Sequence, residues 1–264
     1  MTTASPADFN GSVPAKRRRK RIEPLKAIRA IRALIADKED TGQVFKIIDA
    51  LSGNVSDRQF KRFIATEMGH RIVAEKRDLI AVLNDRERLS RLPAGTLGRT
   101  YYEFMAEENL TADGLVEASR EVPLRDERSE AERIFGDRLR DAHDLWHVTT
   151  GYGRDGLGEL ALLSFTYAQT RNRGIGFIVL VGLRVSTKRN PDLKLGRVVR
   201  EGFRHGKQAK WLPETDWEAM LEKPINEVRA LLGIAPPAAY RAVEPITSER
   251  ERAFAERQAL KKAA

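Results

Sequence analysis

Hydrophobic residues return every three or four positions along most of the chain. In PLKAIRAIRALIAD, Leu25, Ile28, Ile31, Leu34 and Ile35 fall on one helical face. TGQVFKIIDALSG follows at once, with apolar residues at 44, 45, 47, 48 and 51, Thr41 as the expected N-cap and Gly53 at the exit. Ser56 and Gln59 form a capping-box pattern ahead of Phe60, Phe63 and Ile64, so a third helix is expected there. HRIVAEKRDLIAVLND reads as one further amphipathic segment, LPAG as a turn, and TLGRTYYEFMAEEN as a return to helical spacing. Segments near 129–150, 156–171, 174–187, 195–211, 215–222 and 224–232 carry the same period, with Pro224 suited to a first turn and Gly233 to a stop. No alternating run marks a strand, and the expected fold class is all-α: a single, mainly helical domain.

Beyond residue 234 the composition shifts. IAPPAAY reads as a linker, and SERERAFAERQALKKAA as a solvated, charged helix or tail, with Ser248 and Glu251 as another capping-box pair but few large apolar residues. The expected organisation is a disordered basic tail over 1–22, a helical domain over 23–240 and the charged segment over 241–264.

Composition narrows the chemistry. At 264 residues and 41% hydrophobic content the chain can bury a substantial core. It has no cysteine, so disulfides and thiolate metal sites are excluded and any metal falls to His, Asp or Glu. The net charge of +9 is uneven: KRRRKR (Lys16 to Arg21) faces one acid, Asp8, within the first 22 residues and supplies more than half of the excess. That run lacks interleaved aromatics and any recognition motif, so no nucleic-acid partner is expected; it reads as a solvated tail or an attraction to anionic lipid. No apolar stretch follows it, and no secretory signal is expected. The longest apolar run, GIGFIVLVGL (Gly174 to Leu183), is about half of the roughly 20 residues that span a bilayer. It is expected as a core helix or a membrane-surface segment, or as the lining of a channel for a chain-like ligand, because Gly174, Gly176 and Gly182 remove side-chain bulk.

The densest chemistry lies in HDLWHVTTGYGRDGLGE, residues 143–159. At about 100° per residue, His143, Asp144 and His147 share one side of a helix, and imidazoles at i and i+4 have Cβ atoms about 5–6 Å apart, close enough to chelate one ion. TTGYGRDG carries three glycines and breaks the helix, and Asp155 can cap the next one. His147 and Glu159 then sit roughly 5 Å from the turn on opposite arms of a hairpin, so Glu159 comes level with His147. Two nitrogens and one or two carboxylate oxygens suit zinc, taken as the first candidate, and equally Fe(II) or Mn(II). Leu145 and Val148 flank the pair with apolar surface, and Arg140 and Asp141 adjoin it either as orienting groups or as a surface ion pair. His70 and His205 stand singly in polar contexts and are expected as surface or hydrogen-bonded helix positions.

HDLWH, eleven residues and then Glu159 match the HDxxHx11E motif of the coenzyme Q (ubiquinone) biosynthesis protein four family. The chain resembles that family over roughly residues 25–240: DRERLSRLPAGTLGRTYYEFM is similar to its segment upstream of the motif, and WEAMLEKPINEVRALLGIAPP to its closing helix and tail. The resemblance implies an all-α protein associated peripherally with the membrane where ubiquinone is made. That would be the cytoplasmic face of a bacterial inner membrane, or the cytoplasm, or the mitochondrial inner membrane in a eukaryote. It implies other ubiquinone biosynthesis proteins as partners and removal of the ring C1 carboxylate from a polyprenylated hydroxybenzoate, with oxidation at that carbon. It also implies His143, Asp144, His147 and Glu159 as the metal ligands and catalytic residues, and GIGFIVLVGL as a lining for the polyprenyl tail. The alternative is a non-catalytic organiser that binds polyprenyl lipid and holds the biosynthetic enzymes together, with the ion as a structural staple.

Overall fold

The computed structural model describes residues 21–37, 40–107 and 128–263, and among these every regular element is a helix. The tail expected over 1–22 lies outside the described residues except for Arg21 and Ile22. The chain opens with α1 (Pro24–Ala36), α2 (Thr41–Ser52), α3 (Val55–Ile64), α4 (Glu67–Ala74), α5 (Leu79–Leu83), α6 (Arg86–Arg91) and α7 (Leu97–Glu107). It continues with α8 (Glu130–Asp141), α9 (His143–Thr150), α10 (Gly156–Thr170), α11 (Arg173–Arg189) and α12 (Gly196–Gln208). A 3-10 turn (Leu212–Glu214) leads to α13 (Trp217–Met220), α14 (Ile225–Leu232), α15 (Ala238–Arg241) and α16 (Glu244–Ala263).

Several boundaries differ from those the pattern predicts, each for a local reason. Asp40, not Thr41, is the N-cap position of α2, and Ser56 lies inside α3, where no side chain caps the start. Gln59 instead donates through Nε2 to the Thr170 carbonyl at 2.7 Å and ties α3 to the end of α10. The amphipathic segment after His70 breaks at Lys76 (φ 49), and Asp78 caps a new helix by accepting from the Ala81 N–H. The segment 129–150 is likewise two helices, α8 and α9, hinged at Ala142. Pro224 sits just outside α14 rather than in its first turn, whereas Gly233 ends α14 in the left-handed region as expected.

The principal core gathers around α10. Leu157, Ala161, Leu162 and Phe165 pack with Leu145, Trp146, Leu195, Val198, Trp217 and Leu221. Full burial of each such large side chain contributes roughly 1.5–3 kcal/mol. The α10–α12 contact is the most extensive helix pair, and small residues allow it. A Cβ at Gly202 would stand 2.4 Å from the Ala161 carbonyl oxygen, and one at Gly206 2.5 Å from that of Phe165.

A second cluster joins α1, α2 and α11 through Ala27, Ala30, Ile31, Ile47, Ala50 and Ile178. Gly174 brings α11 against α2, since a Cβ there would lie 2.7 Å from Ile48 Cα. The run GIGFIVLVGL therefore divides its faces: Val179 is buried away from the cavity, Leu180 is 71% exposed, and Ile175, Ile178, Val181 and Gly182 line a cavity of about 1180 Å³. Gly176 faces Tyr167 and is not on that cavity. Helices α1, α2, α3, α8, α9, α10 and α11 all contribute to its walls. Among the described residues no helix is long and apolar enough to cross a membrane.

The linker and appendage expected after residue 234 are more engaged than their composition suggests. IAPPAAY contains the start of α15, whose Tyr240 is buried. Ser248 lies within α16 and bonds Glu244 rather than capping, while Glu251 accepts from the Gly156 N–H at 3.2 Å at the start of α10. Arg250 bridges to Asp192 at 2.8 Å, and Arg189 stands over the Phe254 ring.

Candidate metal centre

The site is built on a hairpin that the sequence specifies at each corner. Helix α9 opens at His143 and ends at Gly151, whose φ of 75° lets its N–H return to the His147 carbonyl at 2.8 Å. Asp155 then starts α10 by accepting from the N–H groups of Leu157 and Gly158, both at 3.1 Å. Glu159, on the first turn of α10, comes level with His147 as the spacing predicts: Oε1 is 3.3 Å from His147 Nε2 and Oε2 is 3.9 Å from His143 Nε2. The two imidazoles meet edge to face with centroids 4.8 Å apart. Ligand atoms of His143, Asp144 and His147 all lie within 4.8 Å of one another, so this group could hold a metal ion. His143 and Glu159 line the cavity, whereas His147 is fully buried against the Phe104 ring.

The electrostatics depend on one hydrogen bond. His147 Nδ1 lies 2.9 Å from the Tyr152 carbonyl, an obligate acceptor, so Nδ1 carries the proton. In the neutral ring, Nε2 therefore turns a lone pair toward the Glu159 carboxylate, and this buried nitrogen has no hydrogen-bond partner. A buried lone pair facing a carboxylate favours a cation between them, either a proton or a metal ion. Burial opposes protonation of His147, but the Glu159 charge and the Tyr152 carbonyl outweigh it and raise its pKa. Burial likewise pushes Glu159 upward, yet His147 and His143 win and keep it an ionised carboxylate. His143 is driven by burial below the usual imidazole range and presents a neutral ring. Two neutralisable imidazoles with two carboxylates form a donor set that fits a divalent ion.

Arg140 and Asp141 form a shielded ion pair at 2.8 Å, with Asp137 also on Arg140 at 2.9 Å. Burial raises Asp141 to about 6 against the pull of Arg140. Of this pair Arg140 alone lines the cavity. Of the two placements expected for His205, surface or helix position, the surface one does not hold: it is 6% exposed on α12, and burial lowers its pKa against the opposing charge of Glu201. His70 is half-buried on α4. Neither joins a cluster of metal-ligating side chains among the described residues.

Three groups around the hairpin escaped the sequence reading. Arg154 lies 3.4 Å from Asp144 Oδ1 through Nη1, and its one signal in sequence is that it is the sole cation between His147 and Glu159. The Tyr152 carbonyl has no signal, because a backbone acceptor is chosen by conformation and not by residue type. Tyr240, 85 positions from Asp155, donates its hydroxyl to that carboxylate and accepts from the Gly153 N–H at 3.1 Å.

A family model described as coenzyme Q (ubiquinone) biosynthesis protein Coq4 matches residues 11–238. The mitochondrial ubiquinone biosynthesis protein COQ4 of Zygosaccharomyces rouxii is 28% identical over 187 residues, covering 68% of this chain and 52% of its own. That of Yarrowia lipolytica is 30% identical over 181 residues, with 67% and 65% covered. The chain spans about half the length of the curated relatives it matches, 52% and 57% for two of them. A crystal structure of a Nostoc punctiforme protein assigned to ubiquinone biosynthesis superposes with a TM-score of 0.59 at 21% identity, over 80% of this chain and 98% of that one. At that identity the likeness speaks for the fold.

Proposed function

The chain belongs to the Coq4 family of coenzyme Q (ubiquinone) biosynthesis proteins, and from that premise we propose that it removes the C1 carboxylate of a polyprenylated hydroxybenzoate, using a divalent ion held by His143, Asp144, His147 and Glu159. The observation that carries this reading is the unpartnered, buried Nε2 of His147, facing Glu159 beside His143 at the wall of a large apolar cavity. When bound, a divalent ion supplies Lewis acidity toward an aromatic carboxylate or phenolic oxygen, and an iron ion adds redox chemistry.

The chain's own residues supply the rest. Tyr152 holds His147 in the tautomer that offers Nε2, and the depressed pKa of His143 keeps its ring a neutral donor. Glu159 remains an anion and balances positive charge at the site. Ile31, Val44, Ile48, Ile178 and Val181 give the cavity an aliphatic wall suited to an isoprenoid chain. Zinc is the first candidate, with Fe(II) or Mn(II) as alternatives, since the donor set of nitrogens and oxygens suits all three. The exposed Leu25 and Leu180, each 71% accessible on α1 and α11, support peripheral contact with a membrane or a partner protein of the same biosynthesis. They are also the observation that favours a second reading, an organiser without turnover.

Metal analysis of the purified protein, followed by anaerobic iron reconstitution and assay for carbon dioxide release from a prenylated hydroxybenzoate, tests the proposal. Metal-loaded protein is expected to release carbon dioxide and Glu159→Gln to stop it while remaining folded. Metal-loaded protein that never decarboxylates, with or without dioxygen, replaces the enzyme with the organiser.

A further inference from the structure

We propose that Arg154 is the anion-recognition residue of the cavity: it holds the carboxylate of an amphiphilic aromatic acid beside the hairpin ligand set and makes the site favour the acid over the decarboxylated phenol. The chemical identity of this head group rests on the function proposed above.

Four arginines line the cavity: Arg128, Arg140, Arg154 and Arg189. Arg140 is committed to Asp137 and Asp141, and Arg189 stands over Phe254. Arg128 precedes α8, at the opposite end of that helix from His143. Arg154 is the cation near the ligand set, close enough for its charge to be felt at both His143 and Glu159. Its contact with Asp144, one N–H at 3.4 Å, is longer than a strong charge-assisted bond of about 2.7–2.9 Å. A guanidinium offers five N–H donors in a planar fork that matches a carboxylate, so most of its capacity remains for a ligand.

The backbone that presents Arg154 is held on both sides. Tyr152 accepts from His147 Nδ1 at 2.9 Å, Gly153 donates to Tyr240 Oη at 3.1 Å, and Asp155 is fixed by the first turn of α10. The backbone that carries Arg154 is thus fixed, and less main-chain freedom is lost when the residue binds a ligand. Trp146, one turn along α9 from His143, lines the same cavity, and its indole Nε1 is buried without a hydrogen-bond partner. A carboxylate entering this cavity, which Asp155 and Glu159 also line, is costly unless it meets a positive charge, and Arg154 provides one beside the ligand set. Loss of the carboxylate removes that pairing and leaves a neutral phenol, which the site then holds less tightly.

Equilibrium binding of 3-geranyl-4-hydroxybenzoate and of 2-geranylphenol to the full chain, followed by tryptophan fluorescence in detergent, tests this, because the two probes differ only in the carboxylate. Wild type is expected to favour the acid. Arg154→Gln should weaken the acid about 10-fold to 100-fold and leave the phenol unchanged, and Arg154→Lys should fall between. Circular dichroism and metal content, measured on each variant, should match wild type. Equal weakening of both probes, no preference in wild type, or loss of metal from Arg154→Gln overturns the proposal. Acid binding that depends on Arg154, without any carbon dioxide release, would sink the decarboxylase reading and leave this one standing. Turnover in wild type with unchanged affinities in Arg154→Gln would do the reverse.

Discussion

The hairpin wall and the aliphatic wall of the cavity are stabilised by opposite kinds of interaction. At the hairpin, directed bonds link Tyr240, Gly153, Asp155, Tyr152 and His147 into one array around Glu159. Across the cavity, α1, α2 and α11 meet mainly through alanines, isoleucines and a glycine, with a few directed bonds, such as Asn172 Nδ2 to Ser52 Oγ at 2.8 Å and Lys26 Nζ to Asp49 Oδ2 at 3.1 Å. Directed bonds in a buried place are all-or-none, because a lost partner leaves the other group unsatisfied. Aliphatic packing is graded, since its free energy follows volume and area. The first wall suits the choice of a head group and the second the tolerance of a tail.

The sharpest separation should come from His147→Ala. Losing an outer partner of a metal ligand costs about 10–100-fold in affinity, and losing the ligand itself should exceed that. Elemental analysis at controlled free zinc checks it; a variant with wild-type metal content breaks the assignment of this wall. In wild type the raised pKa of His147 means that metal uptake displaces a proton, so affinity should climb as pH rises above the ordinary imidazole range near 6.5.

Gly174→Leu attacks the opposite wall. Its side chain would overlap the Ile48 backbone, which a Cβ alone already approaches to 2.7 Å, and overpacking costs roughly 1–3 kcal/mol or more. The urea midpoint should fall while bound metal per folded chain stays constant. Metal loss in step with stability would mean that the two walls are not separable. Tyr240→Phe returns to the directed wall with a smaller expected effect, about 1–2 kcal/mol, because it strips the partner from the Gly153 N–H and the Asp155 carboxylate together. Thermal melts and zinc titration would report both consequences, and an unchanged zinc affinity would confine Tyr240 to stability.

Gly182→Leu adds bulk at the aliphatic wall, where a Cβ would lie 2.9 Å from Leu160 Cδ1. It should weaken a long-tailed prenylated benzoate by roughly 10-fold and spare a short-tailed analogue; equal weakening of the two would remove the tail from this wall. The smallest effect belongs to the exposed Arg250–Asp192 pair, which holds Asp192 down at about 2, below the unfolded value of 3.8. A depressed carboxylate stabilises the fold above its unfolded pKa and loses that contribution as pH falls through the folded one. Arg250→Ala should therefore barely move the melting point at neutral pH and should match wild type near pH 2. A large loss at neutral pH would show that α16 is structurally essential.

The helical period, the glycine-rich break after His147, the glycine stop at 233, the Asp155 cap and the level placement of Glu159 against His147 were all legible from the chain alone. Each is a short-range consequence of helix geometry: 3.6 residues per turn, a left-handed exit that glycine permits, and a fixed rise that sets the register of a hairpin. The breaks at Lys76 and Ala142 were not legible, because the apolar period continues across them and only packing against neighbouring helices decides where the axis turns. The capping roles expected of Ser56 and Ser248 failed because their helices begin earlier, at Val55 and Glu244, and the residues paired with them bond elsewhere, Gln59 to Thr170 and Glu251 to Gly156. Tertiary structure alone also decided that Tyr240, in a stretch composed like a linker, would close the hairpin of the candidate site, and that α1, α2 and α11 would leave a cavity beside it. Local sequence determines dihedral preference and helical face, whereas the choice among distant hydrogen-bond partners, and the space left between faces, depends on how all the helices pack together.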